Sequence, residues 1–147
     1  MNPLPTNKRV TFDFELLETF EAGVVLLGTE VKALRSGQGT LDGSYVVIRG
    51  KEAFLLGATI PPYQKPNARG YDPERTRKLL LTEKEILELE RKSEKQGLTI
   101  VPTKWHNIGS KIKLQIAVAK GKKKQDKRES IKAREVKRDI DREMKRL

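Results

Sequence analysis

The chain has 147 residues and a formal net charge of +11, with no cysteine and a single histidine. This length suits one domain with a modest core. Without cysteine there are no disulfides or thiolate metal sites, and one histidine cannot form a histidine pair for zinc. The positive charge predicts an anionic partner, with nucleic acid favoured over a membrane surface.

The N-terminal segment MNPLPTNKRV lacks the apolar core of a signal peptide. No run of about 18 apolar residues, the length needed to span a membrane, occurs in the sequence. We therefore expect a cytoplasmic protein with no membrane partner and no cofactor.

The first half of the sequence predicts short strands and one short helix. Residues 14–23 (FELLETFEAG) fit either a short helix or an irregular strand, and residues 24–27 look like a buried strand. Residues 29–36 predict one or two helical turns between two glycines. Residues 45–48 and 53–60, joined by a turn at Gly50, predict a β-hairpin.

The second half begins with a long loop and continues with a helix. Residues 61–77 hold four of the seven prolines and have no apolar period, which predicts a basic, exposed loop of the kind that is often functional. Thr82 and Glu85 form a capping-box pattern, and Gly97 is placed to end the helix. The predicted apolar face of this helix consists of Ile86, Leu87 and Leu89.

A second hairpin is predicted where residues 98–105 and 111–119 flank HNIGS, because apolar residues alternate with polar ones in the later run. Several antiparallel strands with one clear helix favour a mainly β fold. We predict a small closed Greek-key barrel of the OB type over residues 1–119, with a few flanking helices. An SH3-like barrel remains open at this point.

Residues 120–147 form a basic C-terminal tail with 13 Lys or Arg against 6 Asp or Glu. The tail has a thin apolar stripe at helical spacing, formed by Ile131, Val136, Ile140 and Met144. Four such side chains cannot offset a backbone ordering cost of about 1–2 kcal/mol per residue. We therefore predict a tail that is disordered when free and helical on an anionic surface. A solvated tail, or a helix packed on the barrel, is the alternative.

The sequence gives little support to an enzyme. It contains no phosphate-binding glycine loop, no H-E-x-x-H and no G-x-S-x-G. Glu21 is either a surface carboxylate or an acceptor for RNA donors. A catalytic pair of Glu21 with His106 is a further alternative, although we expect His106 to be an exposed turn residue. Side chains more than about 10 Å apart could not act on one substrate.

Several blocks of the sequence resemble the SmpB family of tmRNA-binding proteins over nearly the whole chain. The blocks are NKR, ETFEAGVVLLGTEVKALRSG, SYVVIRGKEAFLLGATI, DPERTRKLLL, VAKGKK and DKRESIKAREVKR. The resemblance implies an OB-like barrel that binds the tRNA-like domain of tmRNA, and a tail that reads the empty decoding centre of the small ribosomal subunit. It implies ribosome rescue by trans-translation, with elongation factor Tu as an indirect partner through tmRNA, and no enzymatic activity.

The resemblance also assigns residues to each partner. The implied tmRNA contacts are Asn7, Lys8, Arg9, Glu21 and Leu80, with Arg75, Arg77 and Lys78 as phosphate partners. The implied contacts in the decoding centre and mRNA channel are Lys122, Lys123, Gln125, Asp126, Lys127, Arg128, Ile131, Lys132 and Arg134. The family usually has His or Tyr where this chain has Gln125, so aromatic stacking worth about 1–3 kcal/mol is missing there.

One alternative of a different kind stays open from the sequence. A ribosomal structural protein would also be basic and barrel-shaped, with an extension that threads ribosomal RNA. It would associate permanently with ribosomes and show no preference for a tRNA-like RNA.

Overall fold

The computed structural model describes residues 3–64 and 69–122. Three helices and six strands occur in this part of the chain. In chain order they are α1 (Val10–Asp13), β1 (Phe14–Val24), α2 (Gly28–Arg35), β2 (Tyr45–Arg49), β3 (Glu52–Leu56), β4 (Arg77–Leu80), α3 (Glu83–Lys95), β5 (Thr99–Ile108) and β6 (Lys111–Gly121).

The six strands form one closed antiparallel barrel in the order β1-β4-β3-β2-β5-β6. The two longest strands, β1 and β6, pair along almost their full length and close the ring. This confirms the predicted mainly β closed barrel with a few helices.

The barrel interior is filled by the side chains that alternate inward along each strand. On β6 these are Ile112, Leu114, Ile116 and Val118, all buried. They share the core with Trp105 of β5, Leu55 of β3 and Leu89 of α3. The helix α3 therefore contributes to the same core as the strands.

Both hairpins are confirmed. Strands β2 and β3 pair from Tyr45 opposite Leu56 to Arg49 opposite Glu52. The strand β3 ends earlier than predicted, just before Gly57, whose positive φ of 81° an L side chain rarely adopts. In the second hairpin both strands are longer than predicted, and the turn narrows to Gly109 and Ser110.

The region before α2 corrects two expectations. Residues 14–23 form a strand, so the helical alternative was wrong, and α1 was not predicted. The predicted buried strand at 24–27 was also wrong, because pairing with β4 ends at Val24 and both Val25 and Leu27 are 48% exposed. Leu27 instead precedes α2 as its N-cap residue.

The helix α3 begins and ends as predicted. The Thr82 hydroxyl accepts a hydrogen bond from the Glu85 backbone N–H, and the Glu85 carboxylate accepts one from the Thr82 N–H. Gly97 follows the C-terminal cap with φ of 63°. Placing Leu87 on the apolar face was wrong, because its side chain points away from the core and is 56% exposed.

The N-terminal segment continues the sheet beside β5. Thr6 forms a bridge with Lys104, and the Asn7 N–H donates to Thr103 O at 2.7 Å. The Trp105 N–H donates to Pro5 O at 3.1 Å. Residues 5–7 therefore occupy the edge of β5 where pairing with β2 has ended.

The far end of the described chain extends slightly past the predicted domain boundary at residue 119. Strand β6 continues to Gly121, and the Lys122 N–H donates to Asp13 O at 3.0 Å. The division into barrel and tail remains a prediction. Across the described ranges, no helix is both long enough and apolar enough to cross a membrane.

Candidate nucleic-acid interface

A row of four paired positions crosses the outer face of the barrel. Gly23 of β1 lies opposite Leu80 of β4 on one side and opposite Lys113 of β6 on the other. Lys113 in turn lies opposite His106 of β5. We call these four residues the cross-strand row, because it places one residue from each of four adjacent strands on a single surface.

Gly23 allows the two flanking side chains to approach each other. A Cβ atom at this position would lie 3.2 Å from the Leu80 Cβ and 3.5 Å from the Lys113 Nζ. The Leu80 side chain is 54% exposed. The surface thus offers an apolar contact beside a cation, a combination that suits an unstacked base with its phosphate.

Glu21 belongs to the same surface. It precedes Gly23 by two residues, and strand side chains two apart point to the same face. Its side chain is 51% exposed, and its Oε1 lies 3.2 Å from the Nε2 of His106. Glu21 and Leu80 are both predicted RNA contacts and are far apart in the sequence. In the structure they lie on the adjacent strands β1 and β4, on one face.

The predicted exposed turn position of His106 was wrong. His106 lies within β5, and its side chain is only 22% exposed. The 3.2 Å between His106 and Glu21 is well below the limit of about 10 Å for two side chains that act on one substrate. The separation of these two side chains therefore does not exclude the catalytic pair.

The predicted contacts at the N-terminus lie next to β5. The Asn7 Nδ2 donates a hydrogen bond to Pro102 O at 2.9 Å, so this amide attaches the segment to the barrel. Lys8 and Arg9 are exposed. Arg9 lies 3.9 Å from Asp13 and sits over the Phe12 ring. Both side chains therefore lie on the surface, next to the segment that pairs with β5.

The three predicted phosphate partners have different surroundings, because Arg77 and Lys78 point to opposite faces of β4 and Arg75 precedes the strand. Lys78 points outward and pairs with Glu52 at 3.1 Å, whereas Arg77 points inward and is fully buried. The Arg77 guanidinium donates to Ala58 O at 2.9 Å and to Pro73 O at 3.0 Å. The expectation that Arg77 lies in an exposed loop was wrong, and the structure gives a phosphate no access to it.

Glu30 of α2 holds both Arg77 and Arg75. Its Oε2 accepts from the Arg77 Nε at 2.9 Å, and its Oε1 pairs closely with Arg75. The Tyr71 hydroxyl donates to Glu30 Oε2 at 2.9 Å. We call these four residues the Glu30 network. It connects α2 and β4 to residues 71–75, and sequence reasoning missed it because Glu30 is more than 40 positions away from each of its partners.

The Glu30 network fixes the charge of its carboxylate. Burial alone would raise the pKa of Glu30, but the hydrogen bonds from Arg75, the Leu27 N–H, Arg77 and Tyr71 outweigh it and lower the pKa to about 2. Burial and the neighbouring Glu30 raise the pKa of Tyr71. The network therefore contains an ionised Glu30 at neutral pH and leaves one positive charge in excess.

Lys113 was not predicted, although a sequence signal existed. Lys113 and Gln115 are the polar members of the alternating β6 pattern, so both were placed on the outer face. This face lies beside β1 and β4 only because the barrel closes. The alternation of residues along β6 does not reveal that closure. Within the described residues, no group of three or more His, Cys, Asp or Glu side chains could hold a metal ion.

Most of the implied decoding-centre residues cannot be placed. Lys122 directly follows β6. The residues outside the described ranges are Lys123, Gln125, Asp126, Lys127, Arg128, Ile131, Lys132 and Arg134. Their role stays a prediction.

A basic β-barrel that presents an exposed leucine, a carboxylate and lysines on one sheet face is suited to binding RNA. A family model described as "SmpB protein" matches residues 4–146. The chain belongs to the SmpB family.

Named relatives agree with this assignment. The SsrA-binding protein of Thermosipho africanus (strain TCF52B) is 50% identical over 147 residues, covering 99% of each chain. That of Gloeobacter violaceus is 48% identical over 143 residues, covering 97% of this chain and 94% of the relative. A solved structure described as "tmRNA-SmpB: a journey to the center of the bacterial ribosome" superposes with a TM-score of 0.70 at 40% identity, covering 88% of this chain and 95% of that chain.

Proposed function

We propose that this chain binds the tRNA-like domain of tmRNA and acts with it on stalled ribosomes in trans-translation. Its relatives are named for binding SsrA RNA, and its structural neighbour is described with tmRNA and the bacterial ribosome. The observation that carries the proposal is the single outer face that brings Glu21 and Leu80 together beside Lys113.

This face can recognise a folded RNA by shape. RNA loops present unstacked bases and ribose hydroxyls, which need an apolar surface, a hydrogen-bond acceptor and cations in a fixed arrangement. Leu80 supplies the apolar surface, the Glu21 carboxylate supplies the acceptor, and Lys113 and Lys78 supply the cations. Because all four lie on paired strands, their spacing is set by the barrel.

Arg77 and Asn7 act differently from the other predicted contacts. Arg77 stabilises β4 from inside through Glu30, and we leave it out of the direct interface. Asn7 holds the N-terminal segment on β5, which keeps Lys8 and Arg9 beside the RNA. We also propose that the six-stranded barrel is a variant of the OB type, whose usual form has five strands.

The remaining parts of the proposal follow the family. The part of the tail beyond β6 enters the vacant decoding centre and mRNA channel, and elongation factor Tu is reached only through tmRNA. The protein works in the cytoplasm, where ribosomes translate. It binds without catalysing a reaction, and the Glu21–His106 pair serves binding.

Two leucines with nearly equal exposure, one in the proposed face and one on α3, give a matched test of that face. Leu80 on β4 and Leu87 on α3 are 54% and 56% exposed. We expect Leu80→Ala to weaken binding to the tRNA-like domain about tenfold, because burying the exposed half of a leucine is worth about 1–1.5 kcal/mol. Leu87→Ala should leave binding unchanged. Equal effects of the two variants would contradict the proposed face.

The same binding reactions test the enzymatic alternative. We expect the RNA to be recovered intact after prolonged incubation with the wild-type protein. Cleavage or modification that disappears in both Glu21→Gln and His106→Gln would instead establish the pair as catalytic.

A further inference from the structure

Glu21 depends on one neighbouring side chain for its position. Among the described residues its only close contact with a basic side chain is with His106, at 3.2 Å between Oε1 and Nε2. The residue directly opposite Glu21 is Gln115, but the Gln115 Oε1 accepts from the Thr103 hydroxyl at 2.7 Å. Gln115 is thus held toward β5.

His106 reaches Glu21 across the intervening strand. The two residues lie on β5 and β1, which are separated by β6, so their contact spans the outer face between Lys113 and Gln115. At 3.2 Å, the His106 ring limits the directions that the Glu21 side chain can take. Without it, a half-exposed glutamate on a strand has several rotamers open to it.

The His106 Nε2 atom has no hydrogen-bond partner among the described residues. It is shielded from solvent, and the contact with Glu21 is close in distance but lacks the geometry of a hydrogen bond. Buried polar atoms without a hydrogen bond are uncommon in folded proteins. A small rotation of the Glu21 carboxylate is therefore enough to give the Nε2 atom a hydrogen bond. RNA donors bound to the other carboxylate oxygen would impose such a rotation.

We propose that His106 is a positioning residue for tmRNA binding, which holds the Glu21 carboxylate toward the RNA. This inference rests on the function proposed above and adds a residue to its site. His106 itself need not contact the RNA. His106 contributes to RNA affinity through Glu21. This contribution is lost when residue 21 can no longer act as a charged acceptor.

A double-mutant cycle separates this role from a general loss of stability or charge. The variants are His106→Ala, His106→Gln, Glu21→Gln and the double variant His106→Ala with Glu21→Gln, all in the full chain. Binding to the tRNA-like domain is measured at one fixed salt concentration, since RNA affinity depends strongly on salt. Thermal unfolding of each variant confirms that the barrel is folded.

We expect His106→Ala to weaken binding at least about threefold in the wild-type background and to have no effect in the Glu21→Gln background. His106→Gln should restore part of the loss, because its amide can still donate to the carboxylate. Equal effects of His106→Ala in both backgrounds would overturn the inference and make His106 an independent contact or a structural residue.

The cycle also separates failure of this inference from failure of the proposed function. If the wild-type protein does not prefer the tRNA-like domain over a plain RNA duplex, the proposed function fails. If that preference is present and Glu21→Gln reduces it while the cycle is additive, only the role of His106 fails.

Discussion

Two adjacent basic residues on β4 have opposite roles because successive strand side chains point to opposite faces. Lys78 faces solvent and can meet RNA, whereas Arg77 faces the interior, where Glu30 compensates its charge. Removing one partner of such a buried pair costs about 3–5 kcal/mol, since the other charge is left uncompensated. A run of basic residues therefore does not by itself identify phosphate contacts.

The residue scale is also where the sequence predicted least. Glu21 and Leu80 were assigned through the resemblance, and the residues alone left the role of Glu21 open. Strand alternation on β4 puts Leu79 inside and Leu80 outside, but a run of three leucines does not show which member faces inward. Contacts across the barrel depend on strand register, so the sequence could suggest the pair of Glu21 with His106 but could not show that the two side chains meet.

The Glu30 network predicts a specific loss of stability in acid. The pKa of Glu30 is about 2 in the folded protein against an ordinary value of 4.5. A lowered folded-state pKa means that the ionised carboxylate stabilises the fold fully above about pH 4.5, and that this contribution is lost as the pH falls toward about 2.

We expect the free energy of unfolding to fall by about 3 kcal/mol more in the wild type than in Glu30→Gln between about pH 6 and pH 2. Urea unfolding at several pH values measures this difference, and other carboxylates cancel because both proteins contain them. Parallel pH profiles for the two proteins would show that Glu30 is not held ionised by its partners.

At the scale of elements, the sequence predicted well the features that depend only on residues close together in the chain. The capping box at Thr82, the glycine after α3 and the two hairpins each depend on residues close in the sequence, and all were confirmed, with a shorter second turn than predicted. The closure of β1 on β6 and the pairing of β1 with β4 join residues that are distant in the sequence. These pairings create the candidate site, which explains why its members could not be grouped from the sequence.

The N-terminal cap of α3 gives a prediction at this scale. Thr82→Ala removes the hydroxyl that accepts from the Glu85 N–H, and we expect it to lower the free energy of unfolding by about 1 kcal/mol. Glu94→Ala in the last turn is the control and should change stability little, because an acidic residue gains nothing at a helix C-terminus. Thermal or urea unfolding measures both variants. A Thr82→Ala protein as stable as the wild type would show that the cap is dispensable.

The whole molecule divides its charge unevenly. Residues 120–147 carry a surplus of 7 positive charges out of a total of +11, while the barrel presents a fixed face with few cations. Charge attracts RNA without selecting among RNAs, whereas fixed side chains on a rigid face provide selectivity. We therefore assign selectivity for the tRNA-like domain to the barrel and the ribosomal contacts to the tail.

The most direct test compares the full chain with a version ended after Lys122, which retains all of β6. Binding of each to the tRNA-like domain of tmRNA, an ordinary tRNA and a plain RNA duplex is measured at one physiological salt concentration. We predict that both versions prefer the tRNA-like domain by about tenfold or more, with the shortened version weaker on all three RNAs because it lacks the tail's charge. Binding that follows charge alone, with the preference lost when the tail is removed, would contradict the account.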